Sequence, residues 1–155
     1  MQMINFLNCI KNGRPFEITD RRMTRFNLTL DQATEMVLWS ISNSLGGEIF
    51  IPKIPSFKIT DLAKAIKPNN KIVISGIKKG EKLHEEMITS SDSITTYDIG
   101  KKYVIIPSNE RSLINKYKNK FKIFKKAKEG FSYNSSNNVD FLKISDLKKI
   151  IKNSN

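Results

Sequence analysis

The chain has 155 residues, 39% of them hydrophobic and 27% charged, and a formal net charge of +12. That is enough for one domain with its own core, while the lack of any run of about eighteen apolar residues excludes a membrane-spanning helix. One cysteine, Cys9, excludes an internal disulfide and, with the single His84, a four-ligand structural zinc site.

In chain order, Asn5 to Asn12 reads as the end of a helix with Phe6, Ile10 and Leu7 on one face, closed by Gly13. Its start, Met1 to Ile10, has no basic n-region or small-residue cleavage pattern, so it is not expected to be a signal peptide. Pro15 stops the helix, and Phe16 to Thr19 reads as a short strand. Thr29 is a good N-cap, with Gln32 three residues on as a capping-box partner. Ala33, Met36, Val37, Ser40 and Ile41 then form a helical stripe that Gly46-Gly47 ends. Glu48 to Ile51 reads as a strand entering Pro52-Lys53-Ile54-Pro55, an extended crossing. Thr60 is expected to cap a helix from Asp61 to Ile66, stopped before Pro68. Lys71 to Ser75 alternates around Ile72 and Ile74 and predicts a buried strand. After Gly76-Ile77-Lys78-Lys79-Gly80, the acidic start of Glu81 to Met87 predicts a helix. Residues 89–100 read as a polar loop, Tyr103 to Ile106 as a strong strand, and Tyr133 to Asn138 as a Ser/Asn segment; Ser145 is expected to cap a last helix, Asp146 to Lys152. No internal repeat occurs, and the mixture predicts an α/β or α+β class.

The charge is uneven. Residues 1–100 hold 13 Lys/Arg against 11 Asp/Glu, whereas residues 101–155 hold 14 against 4. The excess is nearly all lysine, including Lys116, Lys118, Lys120, Lys122, Lys125, Lys126 and Lys128. Such a half raises the question of nucleic acid or anionic lipid. Yet the aromatic residues available for base stacking are few, Tyr117, Phe121 and Phe124, and a Lys, Asn and Ile bias also arises from AT-rich coding. A solvated lysine surface is therefore expected, with Tyr117 inside it and nucleic-acid binding unlikely.

Catalytic and cofactor signals are missing: no Gly-x-Gly-x-x-Gly, no P-loop and no Tyr-x-x-x-Lys pair set for proton abstraction, the spacing from Tyr97 to Lys101 lying in a stretch read as a polar loop. Three segments remain. Thr19-Asp20-Arg21-Arg22-Met23-Thr24-Arg25-Phe26 puts a basic cluster after a strand, suited to a phosphate; it equally suits a salt bridge from Arg25 to Asp20 or Glu48. Gly76 to Glu81 is a glycine-flanked turn before an expected helix, where backbone N–H groups, Lys78 or Lys79 favour an anion and Glu81 could accept from sugar hydroxyls; a plain turn fits as well. His84, in Lys82-Leu83-His84-Glu85, reads as a structural hydrogen-bond partner.

Taken in order, Ile-Thr-Asp-x-x-Met-Thr-Arg-Phe (18–26), Gly-Gly-Glu-Ile-Phe-Ile-Pro-Lys-Ile-Pro-Ser (46–56), Asp-Leu-Ala-Lys-Ala (61–65) and Gly-Ile-x-x-Gly-Glu-Lys-Leu-His-Glu (76–85) resemble the inverting UDP-N-acetylglucosamine 4,6-dehydratases. These are extended short-chain dehydrogenase/reductases of pseudaminic acid synthesis. Tyr133 to Asn138 followed by Phe141-Leu142 is similar to that family's carboxy-terminal motif, and residues 107–130 are the least family-like.

The resemblance implies an α/β carboxy-terminal, substrate-binding part, with the NADP-binding Rossmann core and its catalytic residues absent. It implies a UDP-sugar-binding subdomain over residues 1–106 and a lysine-rich extension with a terminal helix over 107–155. It implies that Arg14 and Ile18 contact nucleotide or sugar, that Lys78 grips the diphosphate, that Glu81 binds ribose hydroxyls, and that Arg25 is a second basic residue beside the uridine. Lys78-Lys79 stands where the family has Arg-Pro, which loses the bidentate fork, and Asn27 stands where it has Trp. The implied parent reaction is NADP-dependent loss of water from a UDP-N-acetylhexosamine with inversion at C5. This chain would bind no cofactor and catalyse nothing alone; its partner would be an amino-terminal Rossmann half or a homo-oligomer, in the cytoplasm and off the membrane. An unpartnered half would expose the apolar face that packs on the Rossmann domain. A capsule-synthesis UDP-sugar epimerase shares the Met-Thr-Arg-Phe and Gly-Glu-Lys-Leu-His-Glu motifs and stays open as the alternative parent.

Overall fold

A computed structural model describes residues 2–153. Their helices and strands run α1 (Gln2–Lys11), β1 (Phe16–Ile18), β2 (Thr24–Phe26), α2 (Leu30–Asn43), β3 (Ile49–Pro52), β4 (Ser56–Lys58), α3 (Ile59–Ile66), β5 (Ile72–Ile74) and β6 (Glu86–Ile88). They continue with β7 (Thr96–Asp98), β8 (Lys102–Ile105), α4 (Arg111–Lys120), β9 (Lys125–Lys126), β10 (Tyr133–Asn134) and α5 (Ile144–Asn153). The mixed α/β class agrees with the expectation. The chain divides into two compact units, one of residues 1–27, 55–85 and 135–155, the other of residues 28–54 and 86–134.

The first unit is built on local signals that hold. Gly13 takes φ 62°, and the Arg14 N–H returns to the Cys9 carbonyl at 2.8 Å, closing α1 as a glycine C-cap does. Phe6 of α1 packs against Phe16 of β1, the rings tilted by 34° with centroids 4.7 Å apart. These two, with Ile18, Met23, Ile59, Leu62, Ala63, Ala65 and Leu147, form the unit's core. Both later helices start earlier than their expected caps. α3 begins at Ile59 after Lys58, not at Thr60. Before α5, the Asp146 carboxylate accepts from the Lys143 N–H, so Ser145 lies inside the helix.

β5 runs parallel to β1, with Ile18 opposite Ile74. The expectation of a buried strand fails here, because Val73 and Ile74 are exposed. Parallel strands are normally covered on both faces; in this unit β5 has only β1 beside it.

The largest departure concerns residues 81–87, which form no helix. Lys78 to Glu81 close a turn, with the Glu81 N–H on the Lys78 carbonyl at 3.0 Å and Gly80 at φ 83° in the third position, the signature of a type II turn. The groups a helix would then use are already bonded elsewhere. The Leu83 carbonyl accepts from the Thr24 N–H and from Arg25, the Lys82 carbonyl accepts from Arg25, and the Ser135 N–H donates to the Glu85 carbonyl. Tertiary bonding overrides a modest local preference.

In the second unit the sheet order is β3-β8-β7-β9, antiparallel throughout, and β6 pairs separately with β10. The strong strand expected near Tyr103 is β8, with Val104 fully buried. Residues 89–100 are not a loop: Asp92 accepts from the Thr89 N–H and hydroxyl, which starts a 3-10 turn (Asp92–Thr95) leading into β7. The lysine-rich stretch conceals a helix. Leu113, Ile114 and Tyr117 lie on one face of α4 and join a core with Tyr97, Val104 and Ile106. Tyr117 is fully buried, correcting its expected place in a solvated run. Phe124 stacks on Tyr97 at 4.2 Å.

α2 starts as expected: Thr29 Oγ1 accepts from the Gln32 N–H, and Gln32 Oε1 accepts from the Thr29 N–H. It ends at Asn43, before the glycine pair. Its stripe is not core, since no residue of α2 is buried.

Candidate functional site

Lys78 and Glu81, separated by one turn, line the same cleft in the first unit. It measures about 640 Å³, and Asn8, Cys9, Glu17, Thr19, Ser75, Lys79 and Gly80 also border it. The local reasons are plain. β1 alternates, with Phe16 and Ile18 buried and Glu17 outward. Thr19 follows and donates its hydroxyl to the Glu81 carboxylate, 2.9 Å from both oxygens. This bond aims Glu81 across 62 residues of sequence. Lys78 Nζ lies 3.8 Å from Glu17 Oε1, a loose and largely exposed pair that contributes little to stability. The cleft therefore presents an ammonium on a short tether, a second one at Lys79, and a held carboxylate that can accept from hydroxyls.

The other candidates fall elsewhere. Arg14 borders an adjoining cleft of about 250 Å³ that shares Cys9, Glu17 and Ser75 with the first. Ile18 is a core residue; its main-chain carbonyl accepts from the Ser75 N–H. The Arg25 guanidinium donates to the carbonyls of Thr24, Lys82 and Leu83, and its Nε lies 3.7 Å from Glu85. Arg25 thus fastens the segment that follows the cleft turn, and its ion pair is with Glu85 rather than Asp20 or Glu48. Asp20 is bridged by Arg22 through both oxygens at 3.0 and 2.8 Å, and this bond holds the Asp20 carboxyl down to about 2.

His84 has the structural role expected of it. Its Nδ1 lies 2.7 Å from Thr24 Oγ1, which lies 2.6 Å from Ser135 Oγ, which in turn accepts from the Glu85 N–H. If Ser135 donates to Thr24 and Thr24 to Nδ1, every hydroxyl proton has an acceptor. The relay joins β2, the 83–85 segment and residue 135, and Ser135 is fully buried. Ser135→Ala leaves the Glu85 N–H and the Thr24 hydroxyl each one partner short, so urea unfolding should show a loss of ~1–3 kcal/mol.

Sequence reasoning missed Glu17 and Thr19 as cleft residues. The alternation Phe16-Glu17-Ile18 was a usable signal for Glu17; nothing local ties Thr19 to Glu81. Tyr117, Phe121 and Phe124, the aromatic residues available for base stacking, pack in and against the second unit's core. Among the described residues no group of three or more His, Cys, Asp or Glu could hold a metal ion, and no helix is long and apolar enough to cross a membrane.

A family model of polysaccharide biosynthesis proteins matches residues 3–107. The chain is 46% identical over 153 residues to a UDP-N-acetylglucosamine 4,6-dehydratase (inverting) of Campylobacter jejuni serotype O:2, covering 94% of this chain and 45% of that relative. It is 33% identical over 150 residues to a UDP-glucose 4-epimerase of Rickettsia akari, covering 94% and 43%. Among solved structures, Pen from Bacillus thuringiensis superposes with a TM-score of 0.78 at 30% identity, over 99% of this chain and 45% of that one. The chain spans less than half the length of each of these relatives.

Proposed function

Since the chain belongs to the family of polysaccharide biosynthesis proteins, we propose that it is the UDP-sugar-binding portion, residues 1–106 with a lysine-rich extension over 107–155, of a C5-inverting UDP-N-acetylglucosamine 4,6-dehydratase. The observation that supports this reading best is the pairing of Lys78 with a Glu81 held by Thr19 in one open cleft. A nucleoside diphosphate has two anionic phosphates and a ribose diol. Lys78 answers the first and Glu81 the second, while Arg14, in the adjoining cleft, extends the positive side. In this reading Ile18 acts through its main chain and Arg25 by fixing the loop.

The chemistry belongs to the remainder of the parent enzyme. NADP bound there would take up and return the hydride. This chain, whose Tyr-x-x-x-Lys spacing from Tyr97 to Lys101 puts the tyrosine in a core cluster, positions the nucleotide. It acts in the cytoplasm, where nucleotide sugars are made. The higher identity to the dehydratase than to the epimerase favours the dehydratase as parent.

Calorimetric titration with UDP tests the proposal. Saturable one-site binding is expected, with uridine, which lacks the diphosphate, much weaker. Absence of binding by both UDP and UDP-N-acetylglucosamine would sink it. The purified chain should not turn over UDP-N-acetylglucosamine at any NADP concentration. A sharper expectation concerns Glu17, which competes with phosphate for Lys78. Glu17→Gln should tighten UDP binding ~3-fold in low salt, and the gain should shrink as salt screens the pair.

A further inference from the structure

Positive charge in the second unit is concentrated in one stretch. Residues 111–128 hold Arg111 and seven lysines, from Lys116 to Lys128, and no acidic residue. Residues 28–54 of the same unit hold one basic residue, Lys53. A coding bias toward lysine would load both stretches alike, yet α2 has no basic residue at all. The helix dipole accounts for Lys118 and Lys120 in the last turn of α4, but not for the four lysines from Lys122 to Lys128. All eight cations are exposed, and among the described residues none takes part in an ion pair. The fold sets an apolar side chain among them. Phe121 and Phe124 pack against the unit's core, which leaves Lys122, Ile123 and Lys125 outward, Ile123 at 56% exposure. Ile123 Cδ1 lies 3.4 Å from where a Cβ on Gly100 would stand, so it rests on the turn between β7 and β8. Lys101 of that turn is exposed as well. Asp98, at the base of the turn, is already bridged by Lys53 at 2.7 Å.

We propose that this face, from Lys116 to Lys128 with Lys101, adsorbs the chain reversibly on an anionic lipid surface. Clustered lysines are drawn to a negatively charged leaflet, each adding attraction within a Debye length of it. A lysine is a hydrated point charge on a flexible stem, which suits a fluid layer of headgroups. Bidentate recognition of nucleic-acid phosphates favours arginine instead, and the stretch has one. Stacking on bases is closed, because Tyr117, Phe121 and Phe124 pack in and against the core. Ile123 supplies an apolar group for the boundary between headgroups and acyl chains. The inference is independent of the UDP-sugar reading, whose cleft lies in the first unit.

Co-sedimentation of the full chain with vesicles tests this. Binding to phosphatidylcholine vesicles containing about 30% phosphatidylglycerol is expected, with little on pure phosphatidylcholine, and ~0.5 M salt should abolish it. K122E/K125E should lower the partition coefficient at least ~10-fold, and Ile123→Ser about 3-fold. K148E/K149E makes the same charge change on two exposed lysines of α5, in the first unit, and should lower it less than ~3-fold. All these side chains are exposed, so unchanged thermal midpoints should separate lost adsorption from lost folding; the salt and lipid arms need no variant. Absence of binding to the anionic vesicles, or equal binding to the neutral ones, would overturn the inference. An equal loss in the two charge variants would overturn it too, since net charge and not this face would then be responsible. Capture by single-stranded RNA at an ionic strength where the vesicles bind nothing would assign the face to nucleic acid instead.

Discussion

Glu81→Ala should weaken UDP binding about 10- to 100-fold, because the carboxylate's hydrogen bonds to ribose hydroxyls are charge-assisted and worth ~1.5–3 kcal/mol. Lys78→Glu should cost roughly tenfold and should be sensitive to salt, as expected of an exposed charge facing phosphate. The double variant should bind below detection. Thr19→Val provides the control for mechanism. It keeps the Glu81 charge but removes the hydroxyl that aims it, so its loss should be smaller than that of Glu81→Ala and insensitive to salt. Lys78→Arg should act in the opposite direction, since a planar fork bonds a phosphate bidentately where an ammonium cannot; tighter binding by ~3-fold is expected. Calorimetry at two salt concentrations reads all five variants. Unchanged affinity in Glu81→Ala would remove Glu81 from the site, and with it the observation that best supports the proposal.

Tyr117→Ala should destabilise the second unit by about 3–5 kcal/mol, the range for deleting a buried aromatic ring. Tyr117 is fully buried, its ring lies near those of Phe121 and Phe124, and its hydroxyl donates to Glu48 Oε2 at 2.7 Å. Tyr117→Phe isolates that hydrogen bond and should cost ~1.5–3 kcal/mol, because the acceptor is charged. The pair also sets an acid sensitivity. Burial raises the Glu48 carboxyl, but hydrogen bonds from Tyr117, Ser44 and the Leu45 N–H outweigh it and bring the group down to about 2. Burial and the same hydrogen bond push the Tyr117 phenol up. A carboxyl whose value is lower folded than unfolded stabilises the fold above its unfolded value. That contribution fades as pH falls from near 4.5 toward about 2. In Tyr117→Phe the folded value moves back toward the unfolded one, so the acid-dependent loss should be smaller and complete at higher pH. Urea midpoints across roughly pH 2 to 6 check this; identical pH profiles for wild type and Tyr117→Phe would count against it.

Local bonding and motif order make part of this protein legible in its amino-acid sequence. Gly13 ends α1 because only a residue tolerant of positive φ can close that helix. The Thr29–Gln32 box starts α2 because its bonds span three residues. The strand at Tyr103 carries its own β-branched and aromatic pattern. The motifs from Ile18 to Glu85 pointed to the family, and the comparisons bear that out. Residues 81–87 were misread because their conformation follows from bonds to Arg25, Thr24 and Ser135, the last 50 residues away from Glu85. Tyr117 was misread because charged neighbours on one face of α4 masked three apolar residues on the other. Thr19 could not be found at all, since its partner lies 62 residues on. The α2 stripe shows the same limit from the other side. Periodicity marked Met36, Val37 and Ile41 as apolar positions, but which face of a helix is covered depends on where other elements pack, and only the fold contains that information.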